Sequence, residues 1–203
     1  MNFKSIFENE DSYYPIVEPY AVKYSVPAPL IMAVIAQESG FNPLAQRYEK
    51  SINDTSYGLM QILYNTAKLC GFKGYPEELF NIDTNINYGT IYLRDKYKKY
   101  NQNLQYTVSA YNTGTPKILD NGNFKNQDYV NKVISYYIFY NAKFVELNEE
   151  KSNQIYKMIL NKEFSKIANI DFGSITENTT KNTFFPILLV SIPLLLKLYK
   201  KVF

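Results

Sequence analysis

Seven consecutive apolar residues, 30–36, constrain the fold of this chain more than any other feature, because they lie between start and stop signals for a helix. Pro27 and Pro29 stand just before the run, where the first turn of a helix would lie and proline is tolerated. Gly40 follows the run as a typical helix stop. The pattern therefore predicts a buried helix that ends near Glu38.

Other stretches of the chain also have apolar residues at helical rather than strand spacing. No run of strictly alternating residues is long enough to demand a sheet, so the predicted fold class is mainly α. A polar, turn-rich segment, residues 41–57, separates the first helix from the rest. The further predicted helices cover residues 59–69, 83–100, 103–111 and 127–140.

Glu38 is unusual because a carboxylate stands at the end of an otherwise apolar helix. Desolvation there would raise the pKa of its carboxyl group toward the range of a general acid. By itself, a glutamate near a helix end is more often simply solvated. Its neighbours in sequence therefore decide which interpretation holds.

The inventory of reactive side chains is short. The chain has no histidine, which excludes Ser-His and Cys-His nucleophile pairs and imidazole general bases. One cysteine, Cys70, excludes a disulfide framework and a cysteine-built zinc site. Any chemistry must therefore use Glu, Asp, Tyr, Lys or Ser, and neither a metal nor a cofactor is expected.

The net charge of +3 does not indicate a nucleic-acid partner. Residues 1–182 carry 19 basic and 19 acidic side chains, so the surplus consists of Lys197, Lys200 and Lys201. A nucleic-acid binder would spread its surplus along a face or groove. No nucleic-acid binding is therefore predicted.

The C-terminal tail contains an uncharged run of 13 residues, 184–196. As a helix this run would span about 20 Å, and residues 183–203 would span about 31 Å, close to the ~30 Å hydrocarbon core of a bilayer. The lysines that follow the run predict a transmembrane helix with its end inside and residues 1–182 outside. A hydrophobic helix docked on a partner protein is the alternative.

Five motifs follow one another in a fixed order: AQESGFNP at 36–43, TSYGLMQI at 55–62, NINYGTIYL at 85–93, AYNTG at 110–114 and YVNKV at 129–133. Together they resemble the lysozyme-like domain of the lytic transglycosylases, the soluble-transglycosylase (SLT, glycoside hydrolase family 23) domain. Each motif alone is weak, but the ordered set, over about residues 25–140, is specific. The resemblance implies a lysozyme-like fold.

The resemblance also implies a reaction, the cleavage of the bond between N-acetylmuramic acid and N-acetylglucosamine in peptidoglycan. Glu38 would be the single catalytic acid and base, and Ser39 would help to fix it or the neighbouring sugar amide. The second stabilising group would be the N-acetyl group of the substrate, rather than a second carboxylate. The product would then carry a 1,6-anhydro ring, formed without water or a metal.

Four further residues acquire substrate-binding roles from the same resemblance. Met60 and Gln61 would line the cleft, with the Gln61 amide bonded to sugar hydroxyl or acetamido groups. Tyr111 would lie within reach of Glu38 and steady the reacting sugar, and Asn112 would form part of the cleft wall. The alternative for Met60 is that it simply fills the core.

The segment between the Glu38 motif and the second motif is several residues longer than the common family spacing, and it adds Glu49 and Asp54. If Asp54 faced the reacting sugar, a lysozyme-type muramidase would be the outcome. The favoured alternative is that Asp54 caps the following turn together with Asn53. A non-catalytic glycan-binding or structural module is the contrasting class.

Three segments are predicted from these features: a transglycosylase domain at 1–142, a charged helix and linker at 143–182, and a membrane anchor at 183–203. The first twenty residues do not resemble a signal peptide. We therefore expect a phage virion, with the enzyme on its tail or internal membrane, to carry the chain to peptidoglycan. A bacterial envelope complex is the alternative setting, with the catalytic domain facing the cell wall in either case.

Overall fold

The computed structural model describes residues 12–144, and those residues form six α-helices, a three-stranded sheet and one 3-10 helix. Beyond Asn141 only the last turn of the final helix is described, so most of the predicted linker and the whole predicted anchor lie outside the described residues. The helices are α1 (Tyr14–Tyr24), α2 (Ala28–Glu38), α3 (Tyr64–Leu69), α4 (Ile82–Lys99), α5 (Leu104–Thr113) and α6 (Gln127–Phe144); the strands are β1 (Gln46–Glu49), β2 (Asp54–Tyr57) and β3 (Ile62–Leu63); and the 3-10 helix is Pro76–Phe80.

Helix α2 lies at the centre of the described fold. All seven apolar residues at 30–36 are 0% exposed, as expected for a helix that is hydrophobic on every side. Helix α1 packs against α2 and α4, and α4 packs against α5. The mainly helical class and the position of α2 predicted from the sequence are confirmed.

A small antiparallel sheet, in the order β1-β2-β3, follows α2 and was not predicted. In the β1–β2 hairpin Arg47 pairs with Ser56 and Glu49 pairs with Asp54. The predicted helix at 59–69 is wrong in its first half, which contains a turn and β3, and only Tyr64–Leu69 is helical. Gly58 and Gln61 have positive φ angles of 68° and 43°, so a regular helix cannot run through this segment.

Among residues 12–144, no helix is both long and apolar enough to cross a bilayer. The transmembrane prediction concerned residues 183–203, and it stays a prediction.

Candidate active site

Glu38 is the last residue of α2, where the buried helix reaches the surface of the core. The chain turns sharply directly after it, because Gly40 and Phe41 both have positive φ angles, 58° and 63°. Phe41 is not a residue that favours this backbone conformation. Its ring is buried against Tyr13 and Tyr140, and this packing offsets the backbone cost. The apolar helix thus fixes the place of the carboxylate, and the turn ends the helix there.

Tyr129 of α6 donates a hydrogen bond to Glu38 Oε1 over 2.5 Å. The two residues are 91 positions apart in sequence, so the contact exists only when helices α2 and α6 have come together. Burial raises the pKa of Tyr129 well above its ordinary value, and the nearby Glu38 charge raises it further. Tyr129 therefore stays protonated and acts as a hydrogen-bond donor to the carboxylate.

Burial raises the pKa of Glu38 from its ordinary 4.5 to about 7. The hydrogen bond from Tyr129 and the charge of Arg47 oppose this rise, whereas the charge of Glu49 adds to it. Desolvation therefore dominates, and a large fraction of the carboxyl groups carries a proton near neutral pH. Such a group can donate a proton and then accept one, which is what a single acid/base catalyst requires.

Tyr111 of α5 is buried, and its hydroxyl group donates to the backbone carbonyl of Met60 over 2.8 Å. Burial raises the pKa of Tyr111 well above the ordinary value, with a further rise from the Glu38 charge. Tyr111 is therefore close enough to Glu38 for the carboxylate charge to affect its pKa, and its predicted contact with the sugar stays a prediction. Its hydroxyl hydrogen already has an acceptor, so toward a sugar the oxygen would act as an acceptor.

The second and third motifs interlock through two residues of α4. Asn85, which is 1% exposed, donates to the carbonyl oxygens of Tyr57 and Leu79 and accepts from the Met60 N–H, all within 2.8 Å. One helical turn later, Gly89 leaves room for the Met60 side chain, since a Cβ atom there would lie 2.4 Å from Met60 Sδ. Asn85 and Gly89 of the third motif are one helical turn apart, and both contact Met60 of the second motif.

The predicted cleft-lining role is wrong for the Met60 side chain, which is buried, and stays a prediction for Gln61, which is part-exposed. The Met60 side chain is 0% exposed and fills the core, because it packs into the space above Gly89. The Gln61 amide nitrogen donates to the carbonyls of Ala45 and Gly58, and its oxygen accepts from Ser56 Oγ. Since both amide hydrogens are used in this way, Gln61 fixes the turn and has only an acceptor position left for a sugar.

Ser39 and Asn112, predicted to contact substrate, both bond within the protein. The Ser39 hydroxyl donates to the Ile35 carbonyl one turn back in α2, over 3.2 Å. The exposed Asn112 accepts from Asn126 Nδ2 over 3.0 Å, which ties the end of α5 to the start of α6. Their predicted roles toward the sugar stay predictions.

Asp54, considered above as a possible second carboxylate, bonds to backbone groups of the protein. Asp54 is 7% exposed, and its two oxygens accept from the backbone N–H groups of Thr55 and Asn65. Its bond to Asn65 caps the first turn of α3, because the first N–H groups of a helix lack partners within the helix. The added carboxylate that influences Glu38 is Glu49, whose charge raises the pKa of the catalytic candidate.

Tyr129 is the site residue that the sequence did not single out. It begins the fifth motif and lies on the apolar side of its helix, but the chain contains 20 tyrosines. Its one distinguishing signal was its place in the ordered motif set. The contact with Glu38 identifies it as the group that orients the carboxylate.

Replacing Tyr129 by Phe is expected to raise the pKa of Glu38 further, by up to about one unit, because the lost hydrogen bond favours the charged carboxylate. The pH dependence of kcat/KM for glycan cleavage measures this as a shift of the alkaline limb to higher pH. Tyr106→Phe, at an exposed position of α5, is the matched control. An alkaline limb that stays in place or moves to lower pH would contradict the role assigned to the hydroxyl group.

Within residues 12–144, no three acidic or cysteine side chains are grouped so that they could hold a metal ion.

A family model described as the transglycosylase SLT domain matches residues 15–135. Among curated proteins, the membrane-bound lytic murein transglycosylase C of Actinobacillus pleuropneumoniae serotype 5b (strain L20) is 33% identical, over 60% of this chain and 36% of that protein. The soluble lytic murein transglycosylase of Escherichia coli (strain K12) is 34% identical, over 53% of this chain and 17% of that protein.

The solved structures include a similar fold. The 70 kDa soluble lytic transglycosylase of Escherichia coli superposes with a TM-score of 0.54 and 26% sequence identity, over 64% of this chain and 24% of that chain. This chain therefore spans about a third or less of the length of the relatives it matches.

Proposed function

The chain belongs to the transglycosylase SLT domain family, and we propose that it is a peptidoglycan lytic transglycosylase that cleaves the β-1,4 bond between N-acetylmuramic acid and N-acetylglucosamine. The observation that carries this proposal is Glu38, a carboxyl group whose pKa is raised to about 7 by burial at the end of α2. The similar curated proteins are also named lytic murein transglycosylases.

In the first step, the protonated Glu38 gives its proton to the oxygen of the glycosidic bond. The bond between that oxygen and C1 of the muramoyl sugar breaks, and the N-acetylglucosamine part leaves with a free hydroxyl group. The developing oxocarbenium-like centre at C1 needs stabilisation. In this proposal the acetamido group of the muramoyl sugar supplies it, while Tyr129 holds the newly formed Glu38 carboxylate in place.

In the second step, the Glu38 carboxylate takes the proton of the muramoyl 6-hydroxyl group. The O6 atom then bonds to C1, which closes the 1,6-anhydro ring and returns Glu38 to its protonated form. Proton, charge and atoms balance without water. The structural position of Asp54 supports this route over hydrolysis, because its carboxylate is occupied by two backbone N–H groups.

Mass spectrometry of the soluble products tests the proposal. The full chain in detergent micelles would digest purified peptidoglycan, with the Glu38→Gln variant as the control. Products that end in 1,6-anhydro-muramic acid are expected. Reducing ends would instead indicate a muramidase and direct attention to Glu49, and the absence of any product would favour a glycan-binding module.

Activity is expected to be highest below about pH 7 and to fall about tenfold for each pH unit above it, because Glu38 must enter the reaction protonated. With an ordinary carboxyl pKa, by contrast, activity would already fall above about pH 4.5. The pH profile of kcat/KM on dye-labelled peptidoglycan separates these outcomes, with circular dichroism at each pH to confirm folding. A flat profile through pH 9 would rule out Glu38 as the acid.

We further propose that residues 183–203 attach the enzyme to a membrane. The support is the uncharged run at 184–196, followed by Lys197, Lys200 and Lys201. One similar protein is named a membrane-bound enzyme. Flotation of the full chain with lipid vesicles, compared with a variant carrying three aspartates within the run, tests this attachment.

The biological role proposed here is local opening of the cell wall during phage entry. An apolar tail suits an enzyme carried in a membrane-containing virion, and the partners would then be virion proteins and the glycan strands. Immunodetection in purified virions is the test. Recovery of the protein only from a bacterial envelope complex would replace this role with the alternative setting.

A further inference from the structure

Strand β1 presents a paired cation and anion on one face. Arg47 Nε donates to Glu49 Oε1 over 2.5 Å, and the two residues are two positions apart, so their side chains project from the same face of the strand. Their partners across the hairpin are Ser56 and Asp54. Two carboxylates, Glu49 and Asp54, thus lie opposite each other, and each has separate hydrogen-bond donors that offset the repulsion.

The pairing leaves most of the Arg47 guanidinium group free. Only Nε bonds to Glu49, and within residues 12–144 neither terminal nitrogen of Arg47 makes a hydrogen bond. The Arg47 side chain is 69% exposed, whereas that of Glu49 is 28% exposed. Glu49 therefore orients the guanidinium group from one edge, and the two terminal NH2 groups stay available as a fork for an external partner.

This free fork lies within electrostatic range of the catalytic candidate. The Arg47 charge lowers the pKa of Glu38, and the Glu49 charge raises it, so the pair on β1 lies near enough to that carboxyl group to influence it. If the proposed function holds, the muramoyl sugar binds beside Glu38 and therefore near this pair. That sugar carries the lactyl group, which ends in a carboxylate or continues into a stem peptide with carboxylates of its own.

We propose that Arg47, oriented by Glu49, is a specificity-determining residue that binds a carboxylate attached to the muramoyl sugar at the cleaved bond. A guanidinium fork matches a carboxylate in shape and charge and forms two parallel hydrogen bonds with it. A neutral sugar hydroxyl group would not form an ion pair with the guanidinium group. The inference rests on the proposed function, and it adds a preference for anionic over neutral glycan strands.

The experiment measures binding of labelled glycan strands to the full chain in detergent micelles, in the inactive Glu38→Gln background. That background removes turnover and any change in the Glu38 pKa. Three strand preparations serve as probes: strands with stem peptides, strands freed of stems by an amidase, and the first preparation with its carboxylates converted to methylamides. Arg47→Gln is the variant, and Arg94→Gln, the other arginine of the chain, is the matched control.

Arg47→Gln is expected to raise Kd for the charged strands about tenfold and to leave Kd for the methylamide strands nearly unchanged. Arg47→Lys should restore part of the affinity, since it keeps the charge but loses the fork. An effect that persists without stems identifies the lactyl carboxylate, and one that disappears with them identifies a stem carboxylate. Arg94→Gln should change none of these values.

Two results would overturn the inference. Equal effects of Arg47→Gln on charged and methylamide strands would mean that the guanidinium group does not bind a carboxylate, and no effect on either would mean that it does not contact substrate. Glycan cleavage by the chain with Glu38 intact, measured on the same strands, tests the proposed function independently of this inference. If that chain neither binds nor cleaves any strand, the proposed function fails and the inference fails with it.

Discussion

Replacing Glu38 by Gln is expected to lower kcat for peptidoglycan cleavage about a thousandfold, while the affinity for glycan strands stays within about threefold. Glutamine keeps the size of the side chain but can neither donate a proton to the glycosidic oxygen nor accept one from the 6-hydroxyl group. Both steps of the proposed reaction are therefore lost at once. Release of soluble muropeptides measures kcat, and binding of labelled strands measures affinity.

Glu77→Gln is the matched control for this loss, because Glu77 is exposed in the 3-10 helix and lies in no part of the proposed machinery. It should retain the activity of the unaltered chain. If the Glu38→Gln variant kept more than about a tenth of the activity, another group would have to supply the proton.

Replacing Asn85 by Ala is expected to reduce the free energy of unfolding by about 3 to 4 kcal/mol, because three buried backbone groups lose their partner together. The affected groups are the Met60 N–H and the carbonyl oxygens of Tyr57 and Leu79. Water cannot easily replace the lost side chain, since Asn85 is 1% exposed. Chemical denaturation at a fixed pH gives the difference.

The matched control is Asn87→Ala, two positions further along α4. Asn87 is half-buried and accepts hydrogen bonds from Lys23 and Tyr24, so water can take its place. Its loss should cost about 1 kcal/mol or less. Equal midpoints for the two variants would show that Asn85 does not hold the turn of the second motif together.

Local patterns in the sequence were enough to predict most of the helices, although α1 was missed and α3 begins later than predicted. Helix α2 could be predicted because its apolar residues are continuous and Gly40 follows them as a stop signal. The ordered motifs also led to Glu38 and Tyr111, which the structure brings within electrostatic range of each other. These features depend on residues close together in sequence or on a spacing that a whole family shares.

The sheet was missed because its strands are short and lack an alternating apolar face. Strand β1 has only four residues, and most of them are exposed. Strand β2 buries Asp54 and Ser56, which are polar, so its burial does not follow from hydropathy. The turn before β3 depends on a positive φ angle at Gln61, and a glutamine gives no sign of that conformation.

The direction of the Glu38 pKa shift was expected from the apolar helix, but the groups that adjust the pKa could not be identified from the sequence. Burial raises the pKa, and a hydroxyl group 91 positions away opposes the rise. The structural role of Asp54 likewise depends on Asn65, which belongs to the next helix. Contacts of this range follow from the packing of the helices and not from any local pattern.

The same separation sets the order in which the site is completed while the chain is made. Glu38 leaves the ribosome early, its neighbour Tyr111 emerges later, and Tyr129, which bonds to the carboxyl group, emerges later still. A nascent chain that ends before α6 therefore carries the acid without the phenol that orients it. For an enzyme proposed to open cell walls, the site acquires its full set of groups only once the core domain has been translated to its last helix.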